Sequence, residues 1–495
     1  MKHSSSSLIS LLLIGTSVSC SMNKTTENQE VVKKPNILFL FADDQRADAL
    51  GCSGNPYILT PNIDKLAETG IRFKNTYVMG GHHAAICAPS RAMLLSGKSL
   101  YHVYDKLEGV HTMPAHFSDN GYKTFGTGKW HNEKSAFEAS FQNGANVFLG
   151  GMSDHFNIPV CDLGADGKLT QPVKKGFSTD LFAHAAINFL TDYAQGNREQ
   201  PFFCYVSFSV PHDPYSPRID YIDKYSPKSL PLPGNFMPLH PFHFDNLTIR
   251  DENLSPWPRT TEVIKSALAD YYGLISHLDS RIGEVIELLK TNGLFDNTII
   301  VYAADNGLAI GSHGLLGKQN LYEHSTKVPL IISGPNIPAG KVNDALVYLF
   351  DLFPTLAELC ELPAPSGIDG KSLASLIDGS EESVRSSLFT TYRHTVRAVR
   401  DKEWKLIRYP ERDHTQLFNL RTDPLELNNL ATLASFQGKK DEMFELLKQW
   451  QKEVNDTASL TASKILPMEY DHTLLVQQPD THQPEYTLKK YFGKK

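Results

Sequence analysis

Four apolar runs in this 495-residue chain stop abruptly at side chains able to do chemistry. Asn36-Ile37-Leu38-Phe39-Leu40-Phe41-Ala42 ends at Asp43-Asp44, and Thr298-Ile299-Ile300-Val301-Tyr302-Ala303-Ala304 ends at Asp305-Asn306. Phe202-Phe203-Cys204-Tyr205-Val206-Ser207-Phe208 is followed shortly by Pro211-His212, and the shorter Tyr122-Lys123-Thr124-Phe125-Gly126 leads into Gly128-Lys129-Trp130-His131. Carboxylates, an amide, an ammonium and imidazoles are groups that hold ions and move protons. A further stretch, Cys87-Ala88-Pro89-Ser90-Arg91-Ala92-Met93-Leu94-Leu95-Ser96-Gly97, sets a cysteine four residues before an arginine. Taken singly, each piece has a plainer reading. A lone cysteine is usually a small core hydrophobe, Asp43-Asp44 can end a strand in a turn, Gly128-Lys129 can close a helix, and Asn306-Gly307 is a hairpin signal. The hairpin loses ground because Leu308 to Gly314 form no return strand.

Uninterrupted apolar runs are typical of strands buried on both faces of a parallel sheet. Open α/β sheets bind ligands outside the carboxyl ends of their strands, so four strands ending in reactive side chains point to one shared site. Helical segments lie between them. Thr60-Pro61 opens a helix that Gly70 should stop. From Ile264 the apolar positions Leu268, Tyr271, Ile275, Leu278, Ile282, Val285 and Leu289 mark a long core-facing helix or a pair of helices. Leu181, Phe182, Ala185, Ala186, Phe189 and Leu190 repeat that pattern. Residues 213–260 are rich in Pro, His and aromatics without periodicity, and read as an insertion at the site. After about Ser383 short strand-like runs at hairpin spacing and an amphipathic segment from Phe436 to Val454 predict a small α+β subdomain. The expected division is a catalytic α/β domain over 35–383 and an antiparallel-sheet subdomain with a helix over 384–495.

Lys2 followed by the short apolar run Leu8 to Gly15 reads as a secretory leader, too short to span a bilayer. It ends at Ser17-Val18-Ser19-Cys20, which resembles a bacterial lipoprotein box, so residues 1–20 are expected to be removed up to a lipid-bearing Cys20 and residues 21–34 to act as a tether. An ordinary cleavable leader is the alternative. The chain is expected to be exported to the periplasm or cell surface, meeting the membrane only through that lipid. Six cysteines in this length do not make a disulfide scaffold. With 48 Lys plus Arg against 55 Asp plus Glu the formal charge is −7, which gives no electrostatic reason for a nucleic-acid partner.

The pattern C-x-P-S-R-x-x-x-L-S-G from Cys87 to Gly97 resembles the signature of the type I formylglycine-dependent sulfatases of the alkaline phosphatase superfamily. Asp43-Asp44 and Asp305-Asn306 look like that family's two metal-binding pairs; Lys129, His131, His212 and Lys318 match its lysines and histidines around the sulfate; and Leu417 to Leu430 looks like its closing subdomain. The resemblance covers about Asn36 to Leu430. It implies an alkaline-phosphatase-like fold, a large mixed sheet sandwiched by helices. It implies a cysteine, Cys87, converted by a separate formylglycine-generating maturation enzyme to an aldehyde (3-oxoalanine), and a Ca2+ held by Asp43, Asp44, Asp305, Asn306 and the modified Cys87. Such oxygen donors suit a hard cation. It further implies that the Cys87 aldehyde hydrate attacks sulfur, that His212 with Lys318 protonates the departing alcohol, and that His131 accepts the second hydroxyl's proton. Arg91, Lys129 and Lys318 would supply the positive field for the sulfate.

The substrate expected is a sulfated saccharide. Lys129, His212, Lys318 and His313 are the substrate-binding candidates, and Lys123, His82, His83, His324, Arg393, His394 and Arg397 are further candidates for sugar contacts. Gly317-Lys318-Gln319-Asn320-Leu321-Tyr322-Glu323-His324 resembles carbohydrate sulfatases, including galactose and N-acetylgalactosamine sulfatases. The alternatives are a phosphomonoesterase or phosphodiesterase of the same superfamily, and a glycan-binding lipoprotein that has lost activity. Asn306 weighs against the first, because an amide oxygen is a poor ligand for Zn2+.

Overall fold

The Asn36–Ala42 run forms strand β1 (Asn36–Asp43), buried along its whole length, in a computed structural model that describes residues 33–244, 246–475, 479–480 and 482–493, with residues 1, 7 and 8. The lipoprotein cysteine, Cys20, lies outside the described residues. Residues 34–495 make one unit and residues 1–33 another. Among the described residues no helix is long and apolar enough to cross a membrane.

In chain order the next strands are β2 (Gly70–Tyr77), β3 (Gly80–Gly81), β4 (Lys123–Lys129), β5 (Asn143–Phe148), β6 (Ile158–Val160), β7 (Val173–Lys175), β8 (Phe202–Pro211) and β9 (Thr298–Ala304). They are followed by β10 (Lys327–Val328), β11 (Leu330–Ser333), β12 (Lys341–Tyr348), β13 (Leu388–Tyr392), β14 (Val396–Arg400), β15 (Trp404–Tyr409) and β16 (His414–Asn419). The large sheet has the order β10-β2-β11-β9-β1-β8-β4-β5, with β12 also beside β2. From β9 through β1, β8 and β4 to β5 the strands run parallel, whereas β11 is antiparallel to both β9 and β2. The sheet is therefore mixed, and its parallel centre holds the runs read as doubly buried strands. At about 1.5–3 kcal/mol per large apolar side chain, Ile37 to Phe41 alone contribute on the order of 10 kcal/mol before chain entropy is subtracted.

The helices Pro61–Thr69, Ser178–Gln195 and Thr261–Thr291 pack on one another and on the sheet. The last is a single helix of 31 residues, capped by the Thr260 side chain, which accepts from Val263 N. Helix Cys87–Ser96 is buried at every position and packs with Leu352–Leu359 and Met113–Asp119. Two local expectations change. Gly70 does not stop its helix in a left-handed turn: it is extended and opens β2 directly, and a Cβ there would meet Ile332 O at 2.2 Å, so close backbone approach explains the glycine. The fourth strand does not end at Gly126 but continues through Gly128 to Lys129, so Lys129 belongs to the sheet itself.

The second sheet has the order β16-β15-β14-β13-β3. Its four C-terminal strands are antiparallel, and β3, from far upstream, pairs parallel with β13. Gly80 makes this pairing possible: at φ +106°, a Cβ would lie 1.9 Å from Thr391 O. The 384–495 segment is thereby stitched to the short link that precedes Cys87. Helix Gln437–Glu453 packs on β14 and β15. The described residues of 213–260 form a short helix, Ile219–Ile222, a 3-10 turn, Arg250–Leu254, and an isolated bridge from Phe236 to Ser312. Phe242, Phe244, Leu247 and Trp257 nevertheless bury against Leu321, Tyr322, Tyr409 and Phe418, wedging this segment beside the second sheet.

Candidate active site

Register brings the reactive side chains together. Strands β1 and β9 align Ala42 with Ala304, so Asp43 and Asp305 emerge side by side; a bulge then sets Asp43 opposite Pro211 of β8, which delivers His212 beside Asp44. Lys129 comes from the end of β4, on the far side of β8. The chain turns at Asp44 with φ +62°, a conformation a non-glycine residue adopts only when its surroundings hold it. They do: Asp44 N donates to Asp305 Oδ1 at 3.0 Å, and Tyr271 Oη, from the long helix, donates to Asp44 O at 2.6 Å.

Cys87 is the first residue of its buried helix, with Arg91 one turn on and pointing along the same face. Arg91 donates through Nε to Asp305 Oδ2 at 3.0 Å and through Nη1 to Lys129 O at 2.9 Å and to Ser207 Oγ; its Nη2 lies 2.9 Å from Asp305 Oδ2 and 3.8 Å from Asp43 Oδ1. Ser90 Oγ donates to Asp305 O at 2.6 Å. The Lys129 ammonium sits on Asp43 Oδ2. Lys318 Nζ lies 2.6 and 2.9 Å from the oxygens of Asp44 and 2.8 Å from Cys87 Sγ, which is itself 3.5 Å from Asp44 Oδ1. Three carboxylates and three cations thus surround one thiol, all shielded from water.

Burial and the neighbouring Asp305 lift Asp43 to about 8 against the pull of Lys129. Burial also acts on Asp305, yet Arg91 and Lys129 hold it below the usual carboxylate range. The Cys87 thiol is pushed well above its ordinary value by burial and by Asp305 and Asp43, so as a free thiol it stays protonated. Lys318 is raised by Asp44 although burial opposes this. Burial, then the surrounding cations, depress both His131 and His212, which are therefore neutral imidazoles. His212 Nδ1 donates to Asp213 O at 2.8 Å, which leaves Nε2 as the free acceptor facing Asp44 Oδ2 at 3.6 Å. His131 takes φ +60°, and its Nδ1 is buried without a partner among the described residues. A Cβ on Gly151 would lie 2.6 Å from its Nε2.

The donor set suits a hard cation. Among the described residues, Asp43 Oδ1 and Asn306 Oδ1 are buried acceptors with no hydrogen-bond donor, while Asn306 Nδ2 donates to Asp44 Oδ1 at 2.8 Å. One ligand atom each from Asp43, Asp44, Cys87 and His212 lie within 4.8 Å of one another. Beside His131 a cavity of about 320 Å³ is lined by Asp105, Lys106, Asn132, Glu133, Lys134 and Leu149, close to the size of a small ligand.

Asp43, Asp44, Cys87, Arg91, Lys129, His212, Asp305, Asn306 and Lys318 are thus gathered around one point, with His131 at its edge. His313 does not join them. It is buried, stacks on Tyr322 at 3.9 Å between centroids, and its Nε2 faces Glu426 O at 3.1 Å, with Asn235 and His324 near Nδ1. Burial lowers it to about 4, so it is a neutral packing residue, and as a substrate-binding residue it is corrected. The expected sugar contacts divide. His324 is buried with His313, Arg397 is tied to Asp456, and Lys123 lies at the start of β4, the end away from the site, over the Phe189 ring. Several supporting residues carried no sequence signal strong enough to single them out. Arg250 clamps Asp213, and Glu252, held by Arg259 at 2.7 Å, accepts from Leu316 N and Gly317 N and so shapes the turn that presents Lys318. The irregular 213–260 segment does position the site. Tyr271 looked like one more core position of its helix, and Asp213 could have been suspected only from its place after His212.

A mixed sheet with acids, a cysteine, lysines and imidazoles at its carboxyl edge is the architecture of sulfate- and phosphate-ester hydrolases of the alkaline phosphatase type. A family model described as sulfatase matches residues 35–362, and one described as N-sulphoglucosamine sulphohydrolase, C-terminal, matches residues 311–453. The chain belongs to the sulfatase family and is a sulfuric ester hydrolase. It is 28% identical over 534 residues to an N-acetylglucosamine-6-O-sulfatase of Bacteroides thetaiotaomicron, covering 92% of each chain, and 28% identical to an arylsulfatase of Clostridium perfringens, covering 84% of this chain and 94% of that one. A solved structure of a protein in complex with its substrate D-glucosamine-2-N,6-O-disulfate superimposes with TM-score 0.71 at 25% identity, over 86% of this chain and 99% of that one.

Proposed function

We propose that the protein is an exported saccharide O-sulfatase that works through a formylglycine made from Cys87 and a bound Ca2+. The observation that carries this reading is the position of Cys87 Sγ, within reach of Lys318 and Asp44 and at the head of a helix whose Arg91 spans Asp305 and Asp43. The sulfur stands where the oxygens of a hydrated aldehyde would be. A protonated thiol in that place is a poor nucleophile, whereas the hydrate of the aldehyde offers one hydroxyl to attack sulfur and a second whose deprotonation lets sulfate leave. The saccharide substrate is supported by the N-acetylglucosamine-6-O-sulfatase among the relatives and by the solved structure that holds a sulfated glucosamine.

Asp43, Asp44, Asp305 and Asn306 would hold the cation together with the modified Cys87, and Ca2+ would supply positive charge for the sulfate oxygens and lower the pKa of a bound hydroxyl. The chain's own residues have separable tasks. Arg91 fixes Asp305 and Asp43 and so shapes the ligand set without needing to touch substrate. Lys129 and Lys318 present ammonium groups to the transferring sulfuryl oxygens. His212, with Nδ1 committed to Asp213 O, directs Nε2 into the site, where the negative charge of a bound sulfate ester would favour its protonated form, the form that can give a proton to the leaving alcohol. His131 is neutral with an unpartnered nitrogen, suited to take a proton as sulfate departs. The leader sequence supports export and lipid attachment at Cys20, and a separate maturation enzyme is required to oxidise Cys87.

The test is release of inorganic sulfate from aryl and saccharide sulfates by protein made with its maturation enzyme, compared with an aryl phosphate and with chelator. Peptide mass spectrometry of the same preparation should show 3-oxoalanine at position 87. Full activity with an unmodified Cys87 thiol would overturn the reading.

A further inference from the structure

The β3–β13 pairing has a chemical result at the mouth of the site. It sets Tyr392 against Gly81, and Arg393 N donates to Gly81 O at 2.8 Å. The tip of the β13–β14 hairpin therefore lies beside the loop His82–Ile86, which runs straight into Cys87. That loop is bracketed by catalytic neighbours. On one side Gln319, next to Lys318, donates to Ala84 O at 2.9 Å; on the other Asn132, next to His131, donates to Ala88 O at 3.2 Å and to Asp105 O.

The rim is basic. Arg393 is partly exposed and adopts φ +48° at a hairpin tip where Gly or Asn would be cheaper, a conformation usually kept for a reason at functional sites. Its guanidinium lies 5.4 Å from the Tyr392 ring centroid. The other arginines of these strands are neutralised, Arg397 by Asp456, Arg400 by Glu323 and Arg408 by Asp413, whereas Arg393 has no carboxylate partner among the described residues. His394 stacks with His82 at 6.4 Å and 19°, His82 Nδ1 is buried with no hydrogen-bond partner among the described residues, and His83 is exposed beside them. Asp105, an acid on which His83 acts, is half-buried and raised by burial.

We propose that Arg393, aided by His83 and His394, is a specificity subsite for a second anionic substituent, a sulfate or a carboxylate, on the saccharide whose sulfate ester is cleaved at Cys87. This rests on the saccharide sulfatase reading and adds that the substrate is doubly anionic. A planar guanidinium suits either oxyanion bidentately.

The experiment measures kcat/KM for paired hexosamine sulfates that differ only by a second sulfate, for a sulfated disaccharide with and without an adjoining uronate, and for 4-nitrophenyl sulfate. The wild type should favour the doubly anionic member of at least one pair, and which pair tells sulfate from carboxylate. Arg393→Ala should lower kcat/KM for that member by roughly tenfold, mainly through KM, and should remove most of the preference, with a smaller loss on 4-nitrophenyl sulfate. Arg393→Lys should recover part of the preference, and His394→Ala should reduce it less than Arg393→Ala does. Thermal unfolding of each variant shows whether the fold is kept. No preference in the wild type, or an Arg393→Ala loss equal on every substrate with an unchanged melting temperature, overturns the subsite. Wild-type protein carrying 3-oxoalanine that releases sulfate from none of the probes overturns the sulfatase reading itself, and the subsite with it.

Discussion

Arg91→Met should destabilise the protein by about 3–5 kcal/mol, the range expected when one partner of a buried ion pair is removed and the other is left uncompensated. The side chains of Arg91, Asp43 and Asp305 are all fully shielded from water. The guanidinium donates to Asp305, to the carbonyl of Lys129 and to Ser207, so its loss strands three acceptors in a low-dielectric interior. Methionine fills most of the volume, which keeps a cavity from accounting for the effect. Asp305→Asn should cost a similar amount, about 3 kcal/mol, because the amide oxygen can still accept from Asp44 N but the NH2 that replaces Oδ2 faces the Nε and Nη2 donors of Arg91 and leaves the guanidinium unmatched. The double variant should then be less destabilised than the two single losses combined, by about 1 kcal/mol or more, because neither charge remains unmatched. Urea unfolding followed by tryptophan fluorescence, in the presence of chelator so that cation binding does not enter, gives all four corners of the cycle. A loss below about 1 kcal/mol for Arg91→Met, or strict additivity, would refute the assignment of Arg91 as the group that holds the two acids together.

Cys87→Ala should abolish sulfate release, and Cys87→Ser should give at most a stoichiometric sulfated protein detectable by intact mass, since a serine ester has no second hydroxyl with which to expel sulfate; steady turnover by either variant would contradict the proposal. His212→Ala should lower kcat by roughly 10²–10⁴-fold with poor leaving groups and much less with 4-nitrophenyl sulfate, whose alcohol needs little protonation; equal losses on both would remove it as the acid. Burial lifts Asp279 to about 6 from 3.8, although Ile63 N and Asn62 donate to it at the start of the Pro61–Thr69 helix. The folded state then binds a proton more tightly than the unfolded one, so this carboxyl's contribution to stability falls as pH rises from about 4 to 6, by about 3 kcal/mol in all; urea titrations at pH 4 to 7 should show wild type losing stability relative to Asp279→Asn across that window, and a flat or rising difference would refute it.

The central sheet and the site were largely legible because both depend on strong local signals. Doubly buried parallel strands write themselves as unbroken apolar runs, and an open α/β sheet puts its ligands where those runs stop, so Asp43, Asp305, Lys129 and His212 could be named before their register was known. What sequence could not show is which distant backbone closes a gap. Nothing in Gly80 announces that it lies against Thr391, and nothing in residues 213–260 announces that Glu252 accepts from the amides before Lys318. His313 shows the opposite error. A histidine in a Gly-rich loop near Lys318 looks available, but whether an imidazole faces substrate or stacks on Tyr322 is decided by packing from elsewhere in the chain.

Charge makes the site intelligible as an anion pocket in an acidic protein. The whole chain carries −7, yet around Cys87 Asp43, Asp44 and Asp305 are opposed one for one by Arg91, Lys129 and Lys318. With Asp43 ionised beside a bound cation the three acids and three bases balance, so a divalent cation on the free oxygens of Asp43 and Asn306 would leave the pocket with a surplus of two positive charges, unscreened by water and directed at one point. That surplus would favour a bound anion. Arg393 stands outside this buried cluster, with no acid opposing it among the described residues, so its charge is free to act on a second anionic group. The buried cluster would therefore govern whether a sulfate ester is cleaved, while the exposed rim would govern which sulfated saccharide is brought to it.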